Sequence, residues 1–283
     1  MHAPSGPPAP ASVSPALFPR QPEAEIKVTP AHDISEGEPQ KEFKRLRLLY
    51  LFSGTHSRGL IKESAEKRAN TAGMKLHFKE VDMVVKGSRG SPSDETEWLS
   101  IVETIRGGQW DVIFLSPPCE TYTKAKGGSQ TDPPHVRSAE HPMGFPWLRG
   151  AQKKRVEDAN RIVGRSIQAI LEGRKSSAAT AFILEHPENM GSKGTEYTPS
   201  SIWDLQALRD LSDEPGVTQG AMFHCSFGAN FAGPTRFMTS LPYHGELKLK
   251  LGPTQLDMEA NYVGPLPAWC GHRHDPLHGK ESF

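Results

Sequence analysis

An α/β fold built on parallel strands is what this 283-residue sequence predicts, and three observations carry that prediction. Short apolar runs at Leu46–Phe52, Leu76–Val81, Val112–Leu115 and Ala181–Leu184 read as strands, the third as one covered on both faces. Helix-patterned segments lie between them, over Leu60–Ala72, from Ser93 to Gly107, and over Ala151–Leu171, as crossover connections require. Finally, the runs end abruptly at small residues, acids or prolines. Polar groups are thereby placed at the carboxyl ends of strands, where open α/β sheets keep their active sites.

The length suits one large α/β domain, expected over 45–283, behind a disordered tail over 1–44 that is rich in Pro, Ala, Ser and Glu and has no apolar period. The basic residues at the end of that tail, Lys41, Lys44, Arg45 and Arg47, read first as a solvated linker and second as a phosphate contact or import signal. Lys+Arg and Asp+Glu number 33 each, so any nucleic-acid surface must be a local patch. Three scattered cysteines make no disulfide framework and fit a reducing compartment. No apolar run approaches the roughly 18 residues of a membrane span. The amino terminus also lacks a signal-peptide core, and the expectation is a soluble, intracellular protein with no membrane partner.

Taken in order, Leu46–Phe52 breaks into Ser53-Gly-Thr-His-Ser-Arg-Gly59 before the first helix, a turn that lets a ligand approach the backbone. Leu76–Val81 ends at Asp82, an acid placed to accept hydrogen bonds from ribose hydroxyls. In the next helix Trp98, Ile101, Val102 and Ile105 form one apolar face. Val112–Leu115 is stopped by Pro117 and Pro118, whose fixed φ angles and missing N–H groups leave Cys119 a nearly predetermined place. Taken alone, Cys119 also fits a small buried thiol under a turn. The irregular stretch from Lys124 to Gly150 is long enough to be a lid or target-gripping loop, with Lys124, Lys126, His135, Arg137 and Arg149 as phosphate contacts.

Ala181–Leu184 repeats the geometry of the cysteine strand, with Glu185 at its end and His186-Pro187 following. Parallel entry would put Glu185 and Cys119 on one rim. Thr198–Leu211 reads as a capped helix, Phe223–Gly228 as strand or loop, and the turn residues of Gly233–Leu241 are compatible with a plain surface hairpin. At the end stand Cys270, His272, His274 and His278, with Cys225 or His224 able to complete a metal set. The spacing matches no standard zinc finger, and no metal is expected.

Ser116-Pro-Pro-Cys119-Glu-Thr-Tyr122-Thr123 resembles the Pro-Cys motif of DNA cytosine-5 methyltransferases, and the rest of that family's order is present around it. Leu51-Phe-Ser-Gly-Thr55 resembles its first motif, Glu185-His-Pro its strand-end Glu motif, and Gly233-Pro-Thr-Arg236 its late arginine segment; the match, from about Leu46 to Leu241, is closest to the compact branch found in phages and mobile elements. The resemblance implies a Rossmann-like methyltransferase sheet with helices on both faces. It also implies transfer of a methyl group from S-adenosylmethionine to carbon 5 of cytosine in DNA. Cys119 would be the nucleophile, Glu185 the acid at N3, and Arg236 the residue that holds the target ring or steadies Glu185. Phe52, Ser53, Gly54, Thr55, Asp82, Asp94 and Pro117 would hold the cofactor.

Only about 45 residues follow Arg236, so sequence choice would be low, or would fall to the Lys124–Gly150 loop or to a specificity partner. His56 in place of the family's second glycine and His186 in place of its asparagine suit an alternative, a module of this fold that binds without chemistry. Methylation of RNA or a nucleotide is the other alternative.

Overall fold

The first apolar run forms β1 (Lys44–Leu51), which pairs in parallel with β2 (Met74–Val81) on one side and β3 (Val112–Leu115) on the other. β3 in turn pairs in parallel with β4 (Ala181–Pro187). The connecting helices are α1 (Leu60–Thr71), α2 (Glu95–Arg106) and α3 (Gly150–Lys175). This computed structural model describes residues 44–54, 60–82, 95–122, 135–176, 178–191, 198, 200–242, 245 and 248–274, which fall within one unit, Phe43–Phe283. The tail expected over 1–44 lies outside them except for Lys44, which opens β1. Thr55, His56, Asp94 and 123–134 also lie outside.

Right-handed crossovers decide the layers. From β1 the chain moves to β2, and from β3 it moves the opposite way to β4, so α1 lies on one face while α2 and α3 share the other. The last two touch: Trp98 Nε1 donates to Gln168 Oε1 at 2.9 Å, and Arg165 meets Glu95 at 2.5 Å. Trp98, Ile101, Val102 and Ile105, the face expected from their spacing, are all buried and pack with Leu49, Leu51, Ile113, Leu115, Phe182 and Leu184 in the main core. By strand alternation Tyr50 and Phe114 point to the other face, with ring centroids 4.8 Å apart. The α/β class expected from the sequence is therefore the class adopted, a Rossmann-like sheet whose strand order turns at β1/β3.

Several boundaries differ from expectation for physical reasons. β2 is an edge strand, so Lys75, His77 and Lys79 stay exposed while Leu76 and Phe78 are half-buried. Arg47 is no linker residue: it lies in β1, paired with Asp111 at 2.6 Å and donating to the Gly108 carbonyl at 3.1 Å. The chain of 198–212 divides into a 3-10 turn (Ile202–Asp204), capped by Ser201, and α4 (Gln206–Ser212).

β4 runs three residues past the expected Leu184 because a reversed strand, β6 (Pro234–Thr239), pairs with it on the far side. β5 (Thr218–Phe223) lies beyond β6, then β7 (Lys250–Leu251), giving the order β2-β1-β3-β4-β6-β5-β7; β8 (Gln255–Leu256) and β9 (Tyr262–Gly264) form a separate hairpin. Gly220 and Ala221 hide β5 from a propensity reading, since neither favours a strand by itself. Among the described residues no helix is long and apolar enough to cross a membrane.

Candidate active site

Because the strand order turns between β1 and β3, their carboxyl ends open a crevice at a topological switch point. Phe52 leaves β1 there. Its N–H donates to the Val81 carbonyl at 2.8 Å, which sets it beside Asp82, and Ser116 N donates to the Leu51 carbonyl at 3.2 Å, which sets the Pro-Pro-Cys loop on its other side. Phe52, Ser53, Gly54, Asp82, Pro117 and Cys119 thus follow the ends of three adjacent parallel strands, and Glu185 stands just past the ladder that joins β4 to them. Thr55 and Asp94 lie outside the described residues.

Phe52 has φ +63°, a left-handed conformation that a bulky residue adopts at a cost of about 1–3 kcal/mol. Its ring is buried against Trp98, with centroids 6.5 Å apart. What Phe52 offers a ligand is therefore backbone, not the open ring face expected of a cofactor platform. At Gly54, φ +66° needs a glycine, and a Cβ there would meet nothing within 4 Å among the described residues, so they leave the backbone open to close approach. Ser53, Asp82 and Pro117 are buried beside it.

Cys119 is half-buried in a turn closed by Tyr122 N donating to its carbonyl at 2.8 Å. The turn is fastened from below. Arg137, 3% exposed, lays its guanidinium 3.7 Å from the centre of the Tyr122 ring and donates to Thr121 Oγ1 at 2.8 Å and to Asn160 Oδ1, on α3, at 2.9 Å. Tyr122 OH donates to the same Asn160 oxygen at 3.2 Å. Burial pushes the Tyr122 phenol up and the Arg137 guanidinium down. Arg137 is therefore a brace for the cysteine loop, not the phosphate contact its place in a basic loop suggests. Nothing in the sequence signals this cluster, whose members come from a turn, a loop and a helix.

Glu185 is the first residue of β4 beyond its ladder with β3, which ends at Leu184. Part of the residue stays accessible, yet the carboxyl is enclosed: burial pushes its pKa up to about 7, and a hydrogen bond with the Ser116 side chain pulls the other way. His186 points to the opposite face. It is 1% exposed, edge-on to Tyr122 and Trp203, and burial pushes it down to about 3. Further along, Glu188 and its neighbour Asn189 have structural duties. Asn189 donates to Asp204 at 3.0 Å and accepts from Gly191 N at 3.1 Å.

Arg236 departs from expectation. It lies within β6, not before it, opposite His186 and so on the face away from Glu185. Fully buried, it sits 2.8 Å from the Glu188 carboxylate through Nε, at an angle that falls short of a hydrogen bond, and donates to Gln219 Oε1 at 3.1 Å and the Gly252 carbonyl at 2.6 Å. It neither steadies Glu185 nor reaches a ring held beside it.

Of the stretch downstream of Cys119, 135–149 packs back on α3 through Val136, Phe145, Leu148 and Val156. Met143 and Trp147 stay exposed, the Trp147 ring stacked 4.6 Å from Phe145. Since this segment joins the end of β3 to the start of α3, it borders the same rim.

No protein-family model matches the chain, and no curated protein matches it. Among solved structures, the chain is similar to a candidate class I S-adenosylmethionine-dependent methyltransferase of Listeria monocytogenes at 13% identity and a TM-score of 0.31, over 72% of this chain. The chain spans 56% of the length of that structure. So loose a likeness says nothing about activity, and the fold class rests on the strand order.

Proposed function

We propose that the chain transfers a methyl group from S-adenosylmethionine to carbon 5 of cytosine in DNA through a covalent bond between Cys119 and carbon 6. One observation carries the reading. Leu115 and Leu184 are the last paired residues of the parallel strands β3 and β4, so Glu185 stands beside Ser116, which opens the loop that presents Cys119, and an acid and a thiol share one rim.

The residues also fit the cofactor. Two left-handed positions on either side of Ser53, Phe52 and Gly54, expose backbone at the switch point, and a buried acid, Asp82, stands at the neighbouring strand end. Phe52, Ser53, Gly54, Asp82 and Pro117 would hold S-adenosylmethionine, whose sulfonium supplies an electrophilic methyl group. His186, one of the two departures from the family pattern, lies in the packing below the rim and takes no part in the chemistry above it.

Carbon 5 of cytosine is a poor nucleophile until a thiolate adds to carbon 6. Cys119 makes that bond while Glu185 gives its proton to N3, so the ring stays neutral and carbon 5 becomes enamine-like. After carbon 5 takes the methyl group, loss of its proton to water restores the ring double bond and expels the Cys119 thiolate, and N3 returns its proton to Glu185. The base must be flipped or single-stranded to reach the rim.

DNA containing 5-fluorocytosine should trap the protein in the presence of S-adenosylmethionine, because fluorine cannot leave as a proton does. Cys119→Ser should abolish the adduct seen on a denaturing gel. Glu185→Gln should slow its formation by roughly 10² to 10⁴. An adduct on fluorinated RNA alone would move the substrate to RNA. Heat of cofactor binding in calorimetry, lost in Phe52→Ala/Gly54→Asp, with no adduct on either nucleic acid would leave a binding module, and trapping that survives Cys119→Ser would remove Cys119 as the nucleophile.

A further inference from the structure

Two strand positions beyond β4, on the same rim, the chain leaving β5 enters a 3-10 turn (His224–Phe227) closed by Gly228 N donating to the Cys225 carbonyl at 3.1 Å. The segment after β9 returns to this turn carrying Cys270, His272 and His274. One ligand atom from each of the four residues, Cys225, Cys270, His272 and His274, lies within 4.8 Å of all the others. Cys270 Sγ is 3.2 Å from His274 Nε2, and Cys225 Sγ is 3.3 Å from His272 Nδ1. In a tetrahedral zinc site with Zn–S about 2.3 Å and Zn–N about 2.0 Å, ligand atoms stand roughly 3.3–3.8 Å apart, so these side chains are already grouped as a bound ion would hold them.

The groups around the four ligands also orient them. His274 Nδ1 lies 3.0 Å from the Asn230 carbonyl, an atom that can only accept, so Nδ1 carries the proton and Nε2 presents its lone pair to the cluster. Gly271, at φ +86°, turns the chain back between Cys270 and His272. His224, the other candidate, is turned away to Thr235 Oγ1 at 2.9 Å.

The packing shows what such a site would do. Among the described residues, the apolar cluster joining this segment to β5 has three buried members, Ala221, Phe223 and Leu266, with Cys225, Ala232, Tyr262 and Cys270 partly buried against it. So small a core needs a staple.

We propose that Cys225, Cys270, His272 and His274 bind one structural zinc ion that fastens the C-terminal segment to the carboxyl end of β5. Two thiolates and two imidazoles select zinc over magnesium or calcium, and four protein ligands leave no open position for chemistry. This reverses the metal-free expectation. The spacing resembles no finger because Cys225 lies 47 residues before His272 and reaches the set only through the fold.

The test uses the full chain, purified without chelator. Elemental analysis should find about one zinc per chain, and cobalt(II) should replace it with the visible bands of a tetrahedral thiolate site. His224→Ala and His274→Cys should keep the metal; Cys270→Ser and His274→Ala should lose it. If those last two fail to fold, chelator treatment of the native protein should speed proteolysis within 248–274, reversed by zinc. The proposal is overturned by metal-free protein that gives no cobalt–thiolate absorption, by zinc retained in Cys270→Ser, by a Cys225–Cys270 disulfide in protein purified under reducing conditions, or by proteolysis that chelation leaves unchanged.

Discussion

Alternation along β4 puts Glu185 and His186 on opposite faces, and burial gives them opposite pH dependences. For Glu185 the folded pKa, about 7, lies above the ordinary 4.5, so the folded state binds the extra proton. Its contribution to stability is complete below pH 4.5 and lost as pH rises through 7. At pH 8 the Gln variant should therefore be more stable than the native protein by up to about 3 kcal/mol, with the difference gone near pH 4; urea denaturation at the two pH values checks this. Higher stability with slower adduct formation is what a strained functional acid shows and a structural one does not. Arg236 should behave in the opposite way. Arg236→Met leaves Glu188 buried and unpaired and should cost about 3–5 kcal/mol in the same assay, while Arg236→Met/Glu188→Met should recover most of it. Adduct formation in that double variant should stay near the native rate; if it is lost in a well-folded double variant, Arg236 acts in the chemistry after all.

At the scale of elements, the cysteine loop is rigid because two prolines restrict it from above and Tyr122, Arg137 and Asn160 pin it to α3 from below. The prolines were legible in the sequence. The brace was not, since its contacts join residues 15 to 38 positions apart. The segment 135–149 is likewise anchored on α3 and leaves Trp147 as an exposed, stacked platform beside the rim. Base–aromatic stacking is worth about 1–3 kcal/mol, so Trp147→Ala should weaken binding of single-stranded DNA roughly 5- to 150-fold in fluorescence anisotropy with the melting temperature nearly unchanged. Equal affinity in the two proteins would show that the platform faces no nucleic acid.

For the whole molecule, the parallel half of the sheet was readable because each of its strands and crossover helices is written in local order. The four-residue run Val112–Leu115 is a strand with the expected ends, and α2 buries the face its spacing describes. The carboxyl-end positions of Phe52, Asp82, Cys119 and Glu185 follow from that same local order, since parallel strands bring their ends to one rim whatever else the chain does. The antiparallel half was not readable. β6 lies between β4 and β5 by a pairing that no local pattern encodes, and that insertion carries β4 past Glu185 to Pro187, turns Arg236 toward Glu188, and sets Cys225 where Cys270, His272 and His274 arrive. By itself the sequence determined which residues stand at strand ends, because chain direction and periodicity are local properties. Only the tertiary structure decided which side of the sheet each of them faces and which distant partner it meets, because those depend on pairings across tens of residues that only the assembled sheet defines.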